Sequence, residues 1–204
     1  MARGKSPNID RRKAIIDAGI ACFNKNGIVG TTFSQIAKTA KVDQPLISYY
    51  FPTFEALFAE VVNVMLEDMK NLSIAAIDEH AVDPKQSLLE YCRIPVLWGK
   101  TRPDFNPMWT FFYHLSTYEE KFTAINNAIR RGGRERITLL LYRYQEHFKV
   151  KLNTGWTIDH LAFAIHTQIT GALIMSTTET VDVQMVAETS QQSILALLDQ
   201  AFSK

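Results

Sequence analysis

At 204 residues, with 47% hydrophobic and 21% charged residues, the chain has the composition of an ordinary folded protein with room for one large core or a small module plus a larger one. No apolar run approaches the roughly 18 residues of a membrane span, and the first six residues form no apolar signal region, so a cytoplasmic protein with no membrane partner is expected. The net charge of +1 conceals a split. Residues 1–51 hold eight Lys or Arg against three acids, net +5, which leaves −4 for the rest and points to phosphate meeting only the N-terminal part. The two cysteines, Cys22 and Cys92, sit among apolar neighbours without metal-ligand spacing and read as buried thiols.

In chain order, Asp10 can cap a first helix in which Ile15, Ala18, Gly19, Cys22 and Phe23 form a 3.6-period stripe ending near Gly27. A second helix starts at Thr32. Its hydroxyl can accept from the backbone three residues on, while Gln35 reaches back, the reciprocal pattern of a capping box. Phe33, Ile36, Ala37 and Ala40 share its buried face; Lys38 and Lys41 fall off it. Asp43 at an N-cap, followed by Pro45 in the first turn, predicts a third helix that must stop by Phe51, because Pro52 disfavours helical geometry before it. Two helices of this size joined by so short a connection form a helix-turn-helix. In that motif the second helix enters the DNA major groove. Gln44, Pro45, Leu46 and Ser48 are the candidate base-reading residues, and Thr32, Ser34, Lys41, Tyr49 and Tyr50 the candidates for the remaining DNA contacts, with phosphate the expected partner of Thr32, Tyr49 and Tyr50. For Tyr49, packing is an equal alternative.

Thr53 can cap a fourth helix carrying Leu57, Phe58, Val61, Val62, Met65, Leu66 and Met69 towards His80. After a turn at Val82, Asp83 and Pro84 a helical pattern runs through Leu88, Leu89, Cys92, Pro95 and Val96 until Gly99 to Pro103 interrupt it. Further helical patterns cover Pro107 to His114, Glu119 to Lys149, Thr157 to Thr177 and Val183 to Phe202, with no convincing alternating strand. The expectation is an all-α chain of about nine helices: a helix-turn-helix domain over residues 1–53 and a larger helical domain over 54–204.

On these anchors, residues from about 11 to 62 resemble the N-terminal domain of the TetR family of transcriptional repressors. The matching stretches are Ile15 to Ala18, Phe23 to Gly27, Thr31 and Thr32, Ile36 and Ala37, Ala40 to Val42, Tyr49 to Phe51, and Glu55 to Leu57. The resemblance implies a homodimer on a palindromic or pseudo-palindromic double-stranded DNA operator, with a C-terminal domain in which a small effector alters the spacing of the two DNA-reading heads. It also places Thr32 and Tyr50 on phosphate. Three positions depart from the family pattern: Lys41 stands where Gly is common, Ser48 where Tyr is usual, and Phe54 where Lys is frequent.

Phe105, Met108, Trp109 and Phe112 lie at helical spacing in the densest aromatic stretch. Such a stripe is commonly core, but with Trp98 and the polar groups of Tyr113, His114 and His166 it is the candidate pocket for a hydrophobic or amphipathic effector. Pro95, Gly99, Pro103 and Pro107 are expected to break helices beside it. Arg130, Arg131, Arg134 and Arg136 around Gly132 and Gly133 read first as a solvated helix face and second as a site for an anionic effector group; the Gly pair could kink the helix. The last two helices are apolar on more than one face. Thr167, Thr170, Gly171, Ile174, Ile194, Leu197, Leu198 and Ala201 are the candidate dimer interface, as in a bundle of two helices from each subunit. With no nucleophile elbow, phosphate loop or metal motif, the chain carries no catalytic, metal or cofactor assignment. The regulator reading is preferred over an effector-independent DNA binder and over a small all-α enzyme.

Overall fold

A computed structural model describes residues 7–178 and 180–204, with side chains described from Arg11 onward. Arg3 and Lys5, part of the basic N-terminal count, lie outside the described residues. Among the described residues there are nine α-helices: α1 Pro7–Asn26, α2 Phe33–Ala40, α3 Gln44–Tyr50, α4 Phe54–Glu79, α5 Pro84–Thr101, α6 Asn106–Leu115, α7 Glu120–Phe148, α8 Ile158–Thr178 and α9 Val183–Ala201. The all-α expectation therefore holds. One small addition is a pair of two-residue strands, β1 Lys151–Leu152 and β2 Phe202–Ser203, antiparallel with Leu152 opposite Phe202. α1 is already helical from Pro7, so Asp10 lies within it rather than capping it. No helix among the described residues is long and apolar enough to cross a membrane.

The chain forms two compact units, one of residues through Glu67 with Asp104–His114, the other of Asp68–Pro103 with Leu115–Lys204. The expected boundary at residue 53 falls inside the first unit, because the apolar face of α4 is part of that unit's core: Leu57, Phe58, Val61, Val62 and Met65 are all fully buried. Ile15, Phe23, Ile36, Ile47 and Phe51 complete this core, with Phe23 edge-on to both Phe54 and Phe58 at 5.3 and 5.8 Å. α6 contributes Phe111, whose ring meets Phe58 edge-on at 5.2 Å.

In the second unit α5, α7, α8 and α9 pack around Leu88, Cys92, Ile137, Leu141, Leu161, Ile165, Ile194 and Leu198. The starts of α5 and α9 are fixed by capping carboxylates. Asp83 accepts from the Lys85 and Gln86 backbone N–H groups ahead of α5, and Asp182 from that of Gln184 ahead of α9. α5 runs unbroken through Pro95 and Gly99 to Thr101. The expected interruption before Thr101 is absent because α5 is held along its length, by the main core through Leu88 and Cys92 and by a second cluster of Val96, Ala172, Val186 and Ala187. Such packing outweighs the roughly 3 kcal/mol that a helix-interior proline costs. α7 likewise continues through Gly132 and Gly133.

Candidate DNA-reading head and effector-unit sites

The head is built by caps. The Thr32 hydroxyl accepts from the Gln35 backbone N–H at 3.3 Å, and the Gln35 side-chain oxygen accepts from the Thr32 N–H at 2.8 Å, so both halves of the capping box are present. Thr31, one residue earlier, is buried and donates to the carbonyls of Cys22 and Gly27, pinning the start of α2 to the end of α1. α2 ends at Lys41, which adopts left-handed backbone geometry at φ 55° and donates its N–H to the Ala37 carbonyl. The position where the family commonly has Gly is thus occupied by a lysine in the conformation glycine tolerates best.

α3 begins after Asp43, as expected, but the Asp43 side chain makes no capping bond. A capping carboxylate takes its hydrogen bond from the second or third helical N–H. Here the second residue is Pro45, which has no N–H, and the third, Leu46, donates to the Asp43 carbonyl at 3.0 Å. Ile36, Ala37, Ile47 and Phe51 are buried and fix the two helices from below. Thr32, Ser34, Lys41, Gln44, Pro45, Ser48 and Tyr49 are exposed, and Leu46 and Tyr50 are half-buried. Tyr49 is 76% exposed, its ring edge-on to Tyr50 at 5.3 Å, so its hydroxyl is available to a partner. Phe54, at the position where a lysine is frequent, packs its ring on Phe23 and supplies no charge. Arg12 is engaged inside the head, in an ion pair with Glu60 at 2.8 Å and over the Phe51 ring at 5.2 Å.

The residues expected to line an effector pocket divide between the units. Phe105, Met108, Trp109, Phe112, Tyr113 and His114 belong to the first, Trp98 and His166 to the second. On α6, Met108, Trp109 and Phe112 are buried, Trp109 meets Tyr113 edge-on at 5.2 Å, and His114 is exposed. In the second unit the buried Trp98 indole donates to Asp68 at 2.9 Å, and Arg102 adds a further bond to the same carboxylate at 3.0 Å. That bracket, linking positions 30 and more apart in sequence, had no local signal.

His166 lies on α8 where Gly133 of α7 passes. A Cβ on Gly133 would come within 2.8 Å of the imidazole Cε1, so only glycine permits this approach. The His166 Nε2 is shielded from solvent and has no hydrogen-bond partner. Burial, reinforced by the charges of Arg134, Arg130 and Arg136, lowers the His166 pKa to about 4, so the ring is neutral at pH 7. Arg136 in turn donates to the buried Tyr91 hydroxyl at 3.1 Å, and burial raises the Tyr91 pKa against the pull of that guanidinium. The four arginines are therefore not one solvated face: Arg131 is exposed, whereas Arg130, Arg134 and Arg136 are half-buried. Where α7 meets α8 there is also a groove of about 640 Å³, lined by Arg131, Arg134, Glu135, Leu139, Asp159 and Phe163 among others. Sequence periodicity did not indicate it, although Leu139 and Phe163 are large apolar residues left 61% and 59% exposed.

The candidate dimer residues also separate. Ile194, Leu198 and Ala201 are consumed by the core of their own unit, and Leu197 packs against it, so the first three are corrected from interface to core. Thr167, Gly171 and Ile174 are exposed along one side of α8, with Thr170 half-buried. An added Cβ on Gly171 would meet nothing within 4 Å.

Residues 15–61 match the family model described as bacterial regulatory proteins, tetR family. The HTH-type transcriptional regulator BetI of Rhizobium meliloti is 28% identical over 111 residues, covering 54% of this chain and 54% of BetI; the chain thus matches about half the length of that relative. Along nearly the whole chain the fold is that of a TetR transcription regulator from Haloarcula marismortui, with 18% identity, a TM-score of 0.79, and coverage of 96% of this chain and 100% of that one. NalD, described as the secondary repressor of the MexAB-OprM multidrug efflux pump in Pseudomonas aeruginosa, matches with a TM-score of 0.70 and 22% identity over 97% of this chain and 98% of its own. These are transcriptional regulators, not enzymes.

Proposed function

From the premise that this chain belongs, through its residues 15–61, to the tetR family of bacterial regulatory proteins, we propose that it is a repressor released from its operator by a small effector. The observation that carries the DNA half of the proposal is the division of labour in α2 and α3. Ile36, Ala37, Ile47 and Phe51 anchor the pair, while Gln44, Pro45, Ser48 and Tyr49 all stand in solvent. Gln44 can make a bidentate pair with adenine, Pro45 and Leu46 can meet a thymine methyl, and Ser48 can donate or accept. Thr32 and Ser34 at the start of α2, with Lys41, Tyr49 and Tyr50, offer phosphate contacts that set register without reading sequence.

The protein acts as a homodimer on two half-sites about one helical turn apart or a multiple of it. The exposed line of Thr167, Gly171 and Ile174 on α8 supports this: Gly171 faces open space, so the missing side chain serves no contact within its own chain. Effector binding in the helical C-terminal part shifts the population between head spacings that fit the operator and those that do not. The role of NalD as a repressor supports the sign of the regulation.

Selection of genomic fragments by the purified full chain, repeated with Gln44→Ala, tests the reading. A shared pseudo-palindrome whose base preference relaxes in the variant is expected. Fragments with no common half-site, or an unchanged preference in Gln44→Ala, would refute it.

A further inference from the structure

We infer that Arg12 is a positioning residue for the DNA-reading helix: its guanidinium ties the end of α3 to α4 and so fixes the tilt at which Gln44 to Ser48 meet base edges. This rests on the reading of α3 as the helix that enters the major groove.

α3 has only seven residues, and Gln44 and Pro45 in its first turn are exposed. Two buried side chains hold it, Ile47 in the middle and Phe51 at its C-cap. A helix held at one interior point can rock about it, so the anchor at its end decides its tilt. Arg12, on α1, places its guanidinium 5.2 Å from the centre of the Phe51 ring. The same guanidinium donates from Nη2 to the Glu60 carboxylate on α4 at 2.8 Å. One side chain of α1 thus joins the end of α3 to α4, as a cation over an aromatic ring and as a donor to a carboxylate. Only Pro52 and Thr53 separate Phe51 from α4, and the Thr53 hydroxyl accepts from the Ala56 N–H at 3.1 Å, so the connection leaves little slack.

Magnitudes favour positioning over stability. An ion pair whose side chains are 42% and 33% exposed adds little to the folding free energy, because water screens it. Geometry is more sensitive: along the roughly 10 Å of a seven-residue helix, a tilt of about 10° at Phe51 moves the first turn by about 2 Å. That exceeds the spread of about 0.5 Å over which a hydrogen bond to a base edge stays well formed. Arg12 is also one of the eight basic residues of the N-terminal part that point to phosphate, yet its partner is Glu60. Its removal should therefore spoil base reading and leave the salt dependence of DNA binding alone.

The test uses the full chain as Arg12→Met, Arg12→Lys and Glu60→Met, each with its urea midpoint measured to establish that it is folded. Fluorescence anisotropy reads two duplexes: a genomic fragment selected by the unmutated chain, and the same fragment with its half-sites scrambled. The affinity ratio between them is expected to fall about tenfold in Arg12→Met and about threefold or more in Glu60→Met, with the salt slope unchanged. Arg12→Lys should recover part of the ratio, since it keeps the charge towards Glu60 and loses the planar group over Phe51. A salt slope reduced by about 1.8 per dimer in Arg12→Met would make Arg12 a phosphate contact and overturn the inference. So would equal losses on both duplexes, which mark a general weakening of the head, or an unchanged ratio. Should Arg12→Met fail to fold, Glu60→Met decides, because it breaks the same link from α4. Failure of the reading of α3 shows separately, on Gln44→Ala: if that variant keeps its base preference, both fall, whereas a relaxed preference there with an unchanged ratio in the Arg12 variants removes the positioning role alone.

Discussion

Replacing Lys41 by glycine should move stability and DNA binding in opposite directions, because one residue both closes α2 in a left-handed conformation and carries an exposed positive charge beside the reading helix. A non-glycine residue in that region costs about 1–2 kcal/mol. Glycine removes the cost but returns about 0.4–1 kcal/mol through the greater freedom of the unfolded chain. The balance is a gain of about 0.5–1 kcal/mol for Lys41→Gly, read as a higher urea midpoint at unchanged slope. The Lys41 N–H bond to the Ala37 carbonyl is a backbone bond and survives the change. On DNA, each lysine lost from a phosphate reduces the slope of log affinity against log salt by about 0.9, hence about 1.8 for a dimer. Across a fourfold rise in salt, the advantage of the unmodified protein should shrink by about twelvefold. Fluorescence anisotropy on one operator fragment from 50 to 200 mM salt, about the range over which phosphate contacts lose their grip, measures this. Parallel lines for the two proteins would show that Lys41 meets no phosphate, and an unmoved urea midpoint would show that its positive φ stores no strain.

Gly133→Ala should destabilise the protein by about 1–3 kcal/mol in urea unfolding, because the new methyl would stand 2.8 Å from the His166 ring carbon and the two helices must separate; no loss would mean that the imidazole swings aside freely. His166 gives a pH signature whose sign follows from its lowered pKa: the unfolded chain binds the proton at about pH 6.5 and the folded chain only near 4. Stability should therefore be full above about pH 6.5 and fall as the pH drops towards 4, a dependence that His166→Gln flattens in thermal unfolding across that range. Ile174→Glu should convert the dimer to a folded monomer, since it places a charge in the exposed line of α8 without touching the unit's core; an unchanged mass by light scattering would remove α8 from the interface.

How much of this was legible in the chain depends on the reach of each interaction. Thr32 and Gln35 are three residues apart, and their reciprocal bonds stand as the spacing implied. Asp43 shows where such reasoning needs one more step: its position at the start of α3 was readable, but its side chain goes unused because Pro45 removes one of the N–H groups it would bond. Pro95 shows the opposite case, a local breaker overruled by packing with helices almost a hundred residues away. On α9 the apolar residues were plain, but a helix apolar on more than one face does not declare which face turns inward; Ile194, Leu198 and Ala201 went into the core of their own unit.

The arginines around Gly133 carry the same lesson towards function. Their spacing alone could not show that Arg130, Arg134 and Arg136 act on His166, which is contributed by another helix 33 residues after Gly133. Once α7 and α8 pair, the glycine is explained by the imidazole it admits, and the imidazole is held neutral by burial and the charges it faces.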